Sequence, residues 1–280
     1  MRGHPELISS RRNPLVRQLR ELHGGRGRRE QALLLLEGTH LLQEVRRLGQ
    51  VPHQLIATEA WQLAHPDLLA PAPHWPPWQP VTAEVLAAIA TTEHPDGVVL
   101  TLAPPSAEGL EHTLLAVGAG EALLMVLDGL QDPGNLGTLL RTALAAGATA
   151  AWLAEGADPF QPKVLRASAG AVLELPIWRG SRPELLARLE RAAAAGLQLV
   201  ATLPPSSGAR PYWELDWCRP TAVLLGNEGA GLAPELQAHA HARVTIPHRE
   251  AVESLNVAVA AAPLLLERQR QRAQSKAAGR

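Results

Sequence analysis

A single cysteine, Cys218, stands in 280 residues. It excludes an intramolecular disulfide and any cysteine-based structural zinc site, which fits a reducing compartment or a protein that never needed bridges. Also missing is a charged start followed by an apolar stretch, and no apolar run is long enough to span a bilayer. The chain is expected to be soluble and cytoplasmic, without a membrane partner. Charge of one sign is lacking too: the formal net charge is −1, which by itself gives no indication of nucleic-acid binding.

What is present is a large apolar share, 46%, enough for a sizeable core in a length that usually makes about two domains. The charge is uneven. Residues 1–30 hold eight arginines, Arg2, Arg11, Arg12, Arg17, Arg20, Arg26, Arg28 and Arg29, against three glutamates. Arg268, Arg270, Arg272, Lys276 and Arg280 crowd the other end. Arginine's planar fork suits bidentate phosphate contacts; a solvated helix face accounts for the same residues equally well.

In the first half, Asn13-Pro14 opens a helical spacing of Leu15, Val16, Leu19 and Leu22, which Gly24, Gly25 and Gly27 break. A buried run at 33–36 reaches Glu37-Gly38, and Thr39 reads as the N-cap of an amphipathic helix that stops at Gly49. A strand at 55–58, a proline-rich stretch at 66–80 with Trp75 and Trp78, a helix at 82–90 and a strand at 98–102 complete a small α/β unit. The tryptophans suit either packing or stacking on bases. Pro104-Pro105 and the small residues up to Gly120 read as a linker, because consecutive prolines cannot join a ladder.

The expected organisation is a domain at 1–105, a linker at 106–121 and a second domain at 122–280. In the second domain, apolar runs at 123–127, 150–154, 197–202, 222–225 and 243–246 alternate with helical patterns at 136–146, 183–195 and 255–270. That alternation predicts a doubly wound α/β domain with a parallel sheet, its ligands at the carboxyl ends of the strands.

Three clusters fall at such strand ends. The first runs from Leu127 to Arg141, where Asn135 and Arg141 share one end of a helix if Asn135 caps it and Arg141 folds back from the second turn. A plain cap and a surface ion-pair partner are the alternative. The second, Leu225 to Leu232, carries Gly226, Gly229 and Gly231 around Asn227 and Glu228, and glycines let a backbone approach a ligand closely. The third, Ile246-Pro247-His248 and Glu253 to Ala260, offers Ser254 as an N-cap before an alanine-rich helix. A dinucleotide fingerprint would need a glycine-rich loop straight after the first strand; the chain instead reads Asp-Gly-Leu-Gln-Asp-Pro-Gly-Asn after Leu127.

Together the stretches 135–141, 225–232 and 246–260 resemble the three signature motifs of the SpoU (TrmH) group of SPOUT-class RNA methyltransferases. Residues Ser9 to Pro14, Leu35 to Gly38 and Gly97 to Leu100 are similar to the RNA substrate-binding domain that precedes that module in rRNA-modifying members. The resemblance implies a catalytic domain tied in a deep trefoil knot, which general fold rules would have excluded. It also implies a homodimer through that domain and S-adenosylmethionine as methyl donor, held by Thr202, Leu203, Leu225, Gly226, Ile246, Ser254 and Leu255.

The implied reaction moves a methyl group to a ribose 2′-hydroxyl of RNA, without metal. A ribose hydroxyl is weakly acidic, so the site must align it and stabilise developing charge. In the family the arginine matching Arg141 is proposed to activate the hydroxyl. Guanidinium is effectively always protonated, so the preferred role for Arg141 is to position a phosphate and stabilise the alkoxide, with true base action left open. Asn135 holds Arg141 or the ribose, Glu228 orients the arginine or binds the nucleotide, and Ser254 with Asn256 completes the pocket, while Asp128 and Gln131 could substitute for some of these. His248 departs from an aliphatic loop and is expected at the surface. Arg11, Arg12 and Arg17, with Arg141, are the expected RNA contacts. Large-subunit rRNA is the expected substrate; tRNA, or a non-catalytic RNA-binding or assembly protein of the same fold, is the alternative.

Overall fold

The computed structural model describes residues 5–68, 74–107, 109–249 and 251–278. Arg2, Arg280 and part of the proline-rich stretch lie outside the described residues. The chain divides into two compact units, Met1–Pro105 with Asp158–Glu174, and Ser106–Ala157 with Leu175–Arg280.

The first unit contains α1 (Pro14–Glu21), α2 (Gly25–Gln31), β1 (Leu34–Glu37), α3 (Thr39–Arg47), β2 (Gln54–Ala57), α4 (Glu59–Ala64), β3 (Gln79–Pro80), α5 (Ala83–Ile89) and β4 (Val98–Leu102). Its sheet runs β1-β4-β2-β3, with β4 antiparallel to both neighbours and β2 parallel to β3. Asn13 caps α1, its side-chain oxygen accepting the Leu15 N–H at 2.9 Å. The cap aims Val16, Leu19 and Leu22 into a core with Leu35, Ile56, Val85, Leu86 and Val99. Thr39 is the first residue of α3 rather than its cap; its N–H donates to Asp96 at 2.6 Å, and its hydroxyl bonds the same carboxylate. Trp75 and Trp78 are half-buried, with the Arg46 guanidinium 5.9 Å from the Trp75 ring centroid.

α1 ends just before the glycines at 24–27, as expected, but the loop expected after it is instead α2, which starts at Gly25. A Cβ on Gly27 would stand 2.1 Å from the carbonyl oxygen of Glu21, so the glycine lets α2 pack against the end of α1. The corner buries Arg28 to 7% exposure, where it donates to the carbonyls of Leu22 and His23 and pairs with Asp158 at 2.6 Å. Arg28 thus belongs to the framework, and Arg26 pairs with Glu30, whereas Arg11, Arg12, Arg17, Arg20 and Arg29 remain exposed.

The second unit opens with α6 (Leu110–Gly118), in the stretch expected as a linker. Leu110 and Val117 are buried in the same core as Leu185 and Leu189, so this stretch is an integral helix of the unit. There follow β5 (Leu123–Asp128), α7 (Pro133–Ala145) and β6 (Ala150–Ala154). The chain then contributes α8 (Pro162–Ala167) to the first unit, where Arg166 pairs with buried Glu37 at 2.9 Å and Glu174 with Arg47 at 2.6 Å. These ion pairs explain why 158–174, expected within the second domain, belongs to the first unit.

The second unit resumes with β7 (Ile177–Gly180), α9 (Arg182–Ala194), β8 (Gln198–Thr202), β9 (Arg210–Pro211), β10 (Thr221–Leu225), α10 (Pro234–His239), β11 (Ala242–Thr245) and α11 (Val257–Ala278). All seven strands are parallel, in the order β7-β6-β5-β10-β8-β11-β9. Every residue of β5, β6 and β10 is buried, which is why these strands read as unbroken apolar runs instead of alternating ones. α11 starts two residues later than expected and runs on to Ala278 through Pro263. Its buried Arg268 donates to the carbonyls of Ala122 and Gly120, fastening the helix to the turn before β5.

Candidate active site

After β5 the chain turns through Gly129 and enters α7 at Pro133. Asp132, not Asn135, is the cap, its carboxylate accepting the Asn135 N–H at 2.7 Å. Asn135 therefore sits in the first helical turn with its side-chain amide free for other work. Six residues on, Arg141 lies about 9 Å further along the axis and about 120° around it. It is exposed, bonds no described residue and does not line the pocket that Asn135 faces.

After β10 the loop closes on itself: Asn227 and Gly231 exchange backbone hydrogen bonds of 3.0 and 2.9 Å. A Cβ on Gly226 would stand 2.1 Å from the backbone of Gly231 and Leu232, so only glycine allows this closure. The Asn227 side chain, which sequence reasoning passed over, fixes the loop. Its oxygen accepts the N–H groups of Gly229 and Ala230 at 2.8 and 2.9 Å, and its amide donates to the Gly129 carbonyl at 2.7 Å. Asp128 adds a second fastening from beneath: 2% exposed, it accepts from Arg182 at 2.9 Å and from the Ala233 N–H at 3.3 Å. It does not line the pocket, and neither does Gln131, whose N–H donates to Glu228.

After β11 come Ile246, Pro247 and His248, then a turn and Ser254. Ser254 is exposed and does not cap α11. Asn256 does, its oxygen accepting the Ala258 and Val259 N–H groups at 2.9 and 3.2 Å. The amide of Asn256 donates to the Asn135 oxygen at 3.0 Å, and the amide of Asn135 donates to Glu228 at 3.2 Å. The three loops are thereby joined in one relay, Asn256 to Asn135 to Glu228. Burial pushes the Glu228 carboxyl up, but its own N–H, the Asn135 amide and the N–H groups of Gln131 and Asp132 together hold it below the usual carboxylate range.

Around the relay lies a pocket of about 860 Å³ at the carboxyl ends of β8, β10 and β11. Thr202, Leu203, Leu225, Gly226, Ile246, Ser254 and Leu255, anticipated as donor-binding residues, all line it, as do Asn135, Glu228 and Asn256. His248, expected at the surface, is half-buried in its wall. The hydroxyls of Thr202 and Thr245, both on the wall, are buried and bond no described group. Buried polar atoms ordinarily have partners, so two unmatched hydroxyls in one cavity mark places for a ligand's polar atoms. Thr245 had no special sequence signal; its role follows only from its position at the end of β11.

An open parallel sheet that gathers three polar, glycine-bearing loops round one pocket at its strand ends defines an α/β enzyme domain that binds a small organic ligand there. Residues 122–266 match the SpoU rRNA Methylase family, and residues 13–100 match the MRM3-like substrate binding domain. The chain belongs to the SpoU rRNA methylase family. It is 45% identical to an uncharacterized tRNA/rRNA methyltransferase of Synechocystis over 94% of this chain and 93% of the relative. It is 31% identical to the 23S rRNA (guanosine(2553)-2′-O)-methyltransferase RlmP of Bacillus subtilis, covering 92% of this chain and 97% of that one. The crystal structure of an AdoMet-bound rRNA methyltransferase from Sinorhizobium meliloti superposes with a TM-score of 0.81 at 31% identity, over 96% and 99% of the two chains. The SpoU methyltransferase AviRb of Streptomyces viridochromogenes, in complex with AdoMet, gives 0.79 at 28% identity over 94% and 100%.

Proposed function

We propose that this protein transfers a methyl group from S-adenosylmethionine to a ribose 2′-hydroxyl of large-subunit rRNA. The observation that carries the reading is the relay of Asn256, Asn135 and Glu228, which joins all three motif loops at the edge of one pocket. The pocket suits the donor: Thr202 and Thr245 offer buried hydroxyls that bond no described group, and the Gly226 loop brings backbone to the wall. When bound, the donor supplies an electrophilic methyl on a sulfonium. The residues of the chain do the rest. Thr202, Leu203, Leu225, Gly226, Ile246, Ser254 and Leu255 hold the donor, while Asn135, Asn256 and Ser254 orient the ribose. Glu228, kept ionised by its hydrogen bonds, sets the position of Asn135.

Arg141 stands apart from the pocket of its own chain, on a helix that packs on α11. On α11, Val259 is 62% and Leu266 43% exposed, two turns apart along one stripe. A second copy of the chain covering this face, as a homodimer through the catalytic unit, removes the stripe from water and brings the Arg141 region to an interface. There the guanidinium serves as a phosphate ligand and stabilises charge on the ribose oxygen. Mixing Arg141→Ala with Glu228→Ala protomers distinguishes the cases: recovery of activity in the mixture places the arginine across the interface.

The reading extends to a trefoil knot in the second unit, favoured by a strand order in which β10 lies inside β8 and β11 between β8 and β9. Arg11, Arg12 and Arg17, exposed in the first unit, bind RNA phosphates, and the protein works in the cytoplasm with its rRNA. The test is transfer of labelled methyl from S-adenosylmethionine to unmodified rRNA, with tRNA alongside, and mapping by resistance to alkaline hydrolysis. Label on tRNA alone, or on a base, rejects the proposal.

A further inference from the structure

The methyl donor has three chemically distinct parts, a purine base, a ribose and an amino-acid end, and, granted the functional reading above, the pocket wall shows where the base goes. Alternation along β11 sets the face of the sheet on which Thr245 lies. Arg243 stands beside Ala201 of β8 and Val244 beside Thr202, so Thr245 returns to the Ala201 face. There Ala201 and Leu224 share a core with Leu232 and Leu236, and Leu203 packs against it. Among the described residues, α7 and α11 contribute nothing to that core, and α11 packs on α7 and on β10. Asn135 and Asn256, beside which the reacting methyl must lie, therefore belong to helices on the other side of the sheet.

Two polar side chains on the Ala201 side line the pocket, Thr245 and Gln237. Thr245 is 4% exposed, and its hydroxyl bonds no described group. Gln237 stands half-buried on α10, which packs against β8, and its amide donates to the Leu232 carbonyl at 2.7 Å. A carbonyl can only accept, so this bond assigns the amide nitrogen to Leu232 and leaves Oε1 as the acceptor still available. An acceptor and a hydroxyl beside Leu203 and Leu232 match a flat apolar ring whose edge carries a donor next to an acceptor. Adenine has such an edge, because its 6-amino group donates and the ring nitrogens flanking it accept. A ribose has no apolar ring face to set against the leucines. The ammonium of the amino-acid end would find no carboxylate here, since those of the pocket are Glu228, held at the relay, and Glu253, on the turn before Ser254.

We propose that Gln237 and Thr245 recognise the adenine base of the donor. Oε1 of Gln237 accepts from the 6-amino group, the Thr245 hydroxyl donates to the ring nitrogen beside it, and Leu203 and Leu232 pack on the ring. The hydroxyl of Thr245 thus finds its partner in the ligand, which accounts for a buried polar atom that bonds no described group. The two side chains make the site selective for the base, a task separate from aligning the methyl with the ribose.

The test measures binding of S-adenosylhomocysteine and S-inosylhomocysteine to the full-length protein by calorimetry. The inosyl compound carries a carbonyl oxygen in place of the 6-amino group and an N–H in place of the neighbouring acceptor, so it presents the reversed edge. The unaltered protein prefers the adenosyl compound by about tenfold or more. In Gln237→Met, which keeps the length of the side chain and loses the acceptor, and in Thr245→Val, which keeps the shape and loses the hydroxyl, the preference shrinks to about twofold. Thr245→Ser restores it. A merely structural role is separated by the melting temperature of the ligand-free protein, which in Thr245→Val stays level or rises, because a buried hydroxyl that bonds no described group is removed. An unchanged preference in both Gln237→Met and Thr245→Val, or an equal loss of affinity for the two compounds, overturns the proposal. Failure of the unaltered protein to bind S-adenosylhomocysteine at all instead overturns the functional reading.

Discussion

The side-chain amide of Asn256 donates to the side-chain oxygen of Asn135 at 3.0 Å, across 121 positions of sequence. Asn256 also caps α11, so one residue starts the last helix and anchors the motif after the first strand of the unit. The two duties separate by mutation. Asn256→Asp keeps a cap acceptor and removes the donor to Asn135; stability measured by thermal melting stays close to wild type while turnover drops at least tenfold. Asn256→Ala loses both, and the melt shifts by the about 1 kcal/mol expected for a lost cap. Equal turnover in Asn256→Asp and wild type would show the relay to be dispensable.

Glu228 sets the acid limit of the site. Its pKa lies below the ordinary carboxylate value in the folded chain, so its bonds to Asn135, Gln131 and Asp132 are fully present above that ordinary value. They are lost as pH falls through the depressed value. Donor affinity is expected to hold steady down to the ordinary carboxylate range and to decline only at more acid pH. In Glu228→Gln, which accepts with one oxygen instead of two, affinity is lower at neutral pH and this acid decline is absent.

The buried Arg268 fastens α11 to the turn before β5 through the carbonyls of Gly120 and Ala122. Burial lowers its pKa to about 10, so it remains charged at neutral pH. Arg268→Met leaves both carbonyls without that partner and is expected to cost about 2 kcal/mol or more. Urea denaturation measures this directly. A midpoint unchanged from wild type would mean that water replaces the guanidinium without loss.

For RNA binding, Arg11, Arg12 and Arg17 are the exposed cations to test, whereas Arg28 is held by Asp158 and two carbonyls. The triple alanine variant at 11, 12 and 17 should weaken rRNA binding and lower the salt-dependence slope by about 1 for each phosphate that the arginines no longer neutralise. Donor affinity serves as the control. Point variants are preferable to removal of residues 1–105, which would strip the partners Arg28, Glu37 and Arg47 from Asp158, Arg166 and Glu174.

The strands were legible because β5, β6 and β10 are buried on both faces, and unbroken apolar runs leave few alternatives. The motif loops were legible as clusters of glycine and amide residues. Less accessible were the elements whose signal is a neighbour far along the chain. Gly27 looks like a helix breaker until Glu21 is found packed against it, and the stretch at 110–118 looks like a linker until its leucines meet α9. The caps were also misplaced by a few residues: Asp132 and Asn256 compete locally with Asn135 and Ser254, and only backbone geometry decides which oxygen meets the free N–H groups.

The sequence by itself determined the family, the parallel sheet and the three motif loops that meet at the pocket, because those depend on local pattern and on motifs with fixed spacing. Tertiary structure alone decided that 158–174 joins the first unit, that Arg141 lies outside its own pocket and that His248 faces into it. The reason is physical. Periodicity dictates which face of an element is buried, but a side chain's partners are set by where distant segments meet, and hydrogen bonds and ion pairs between them carry no mark in the sequence of either segment.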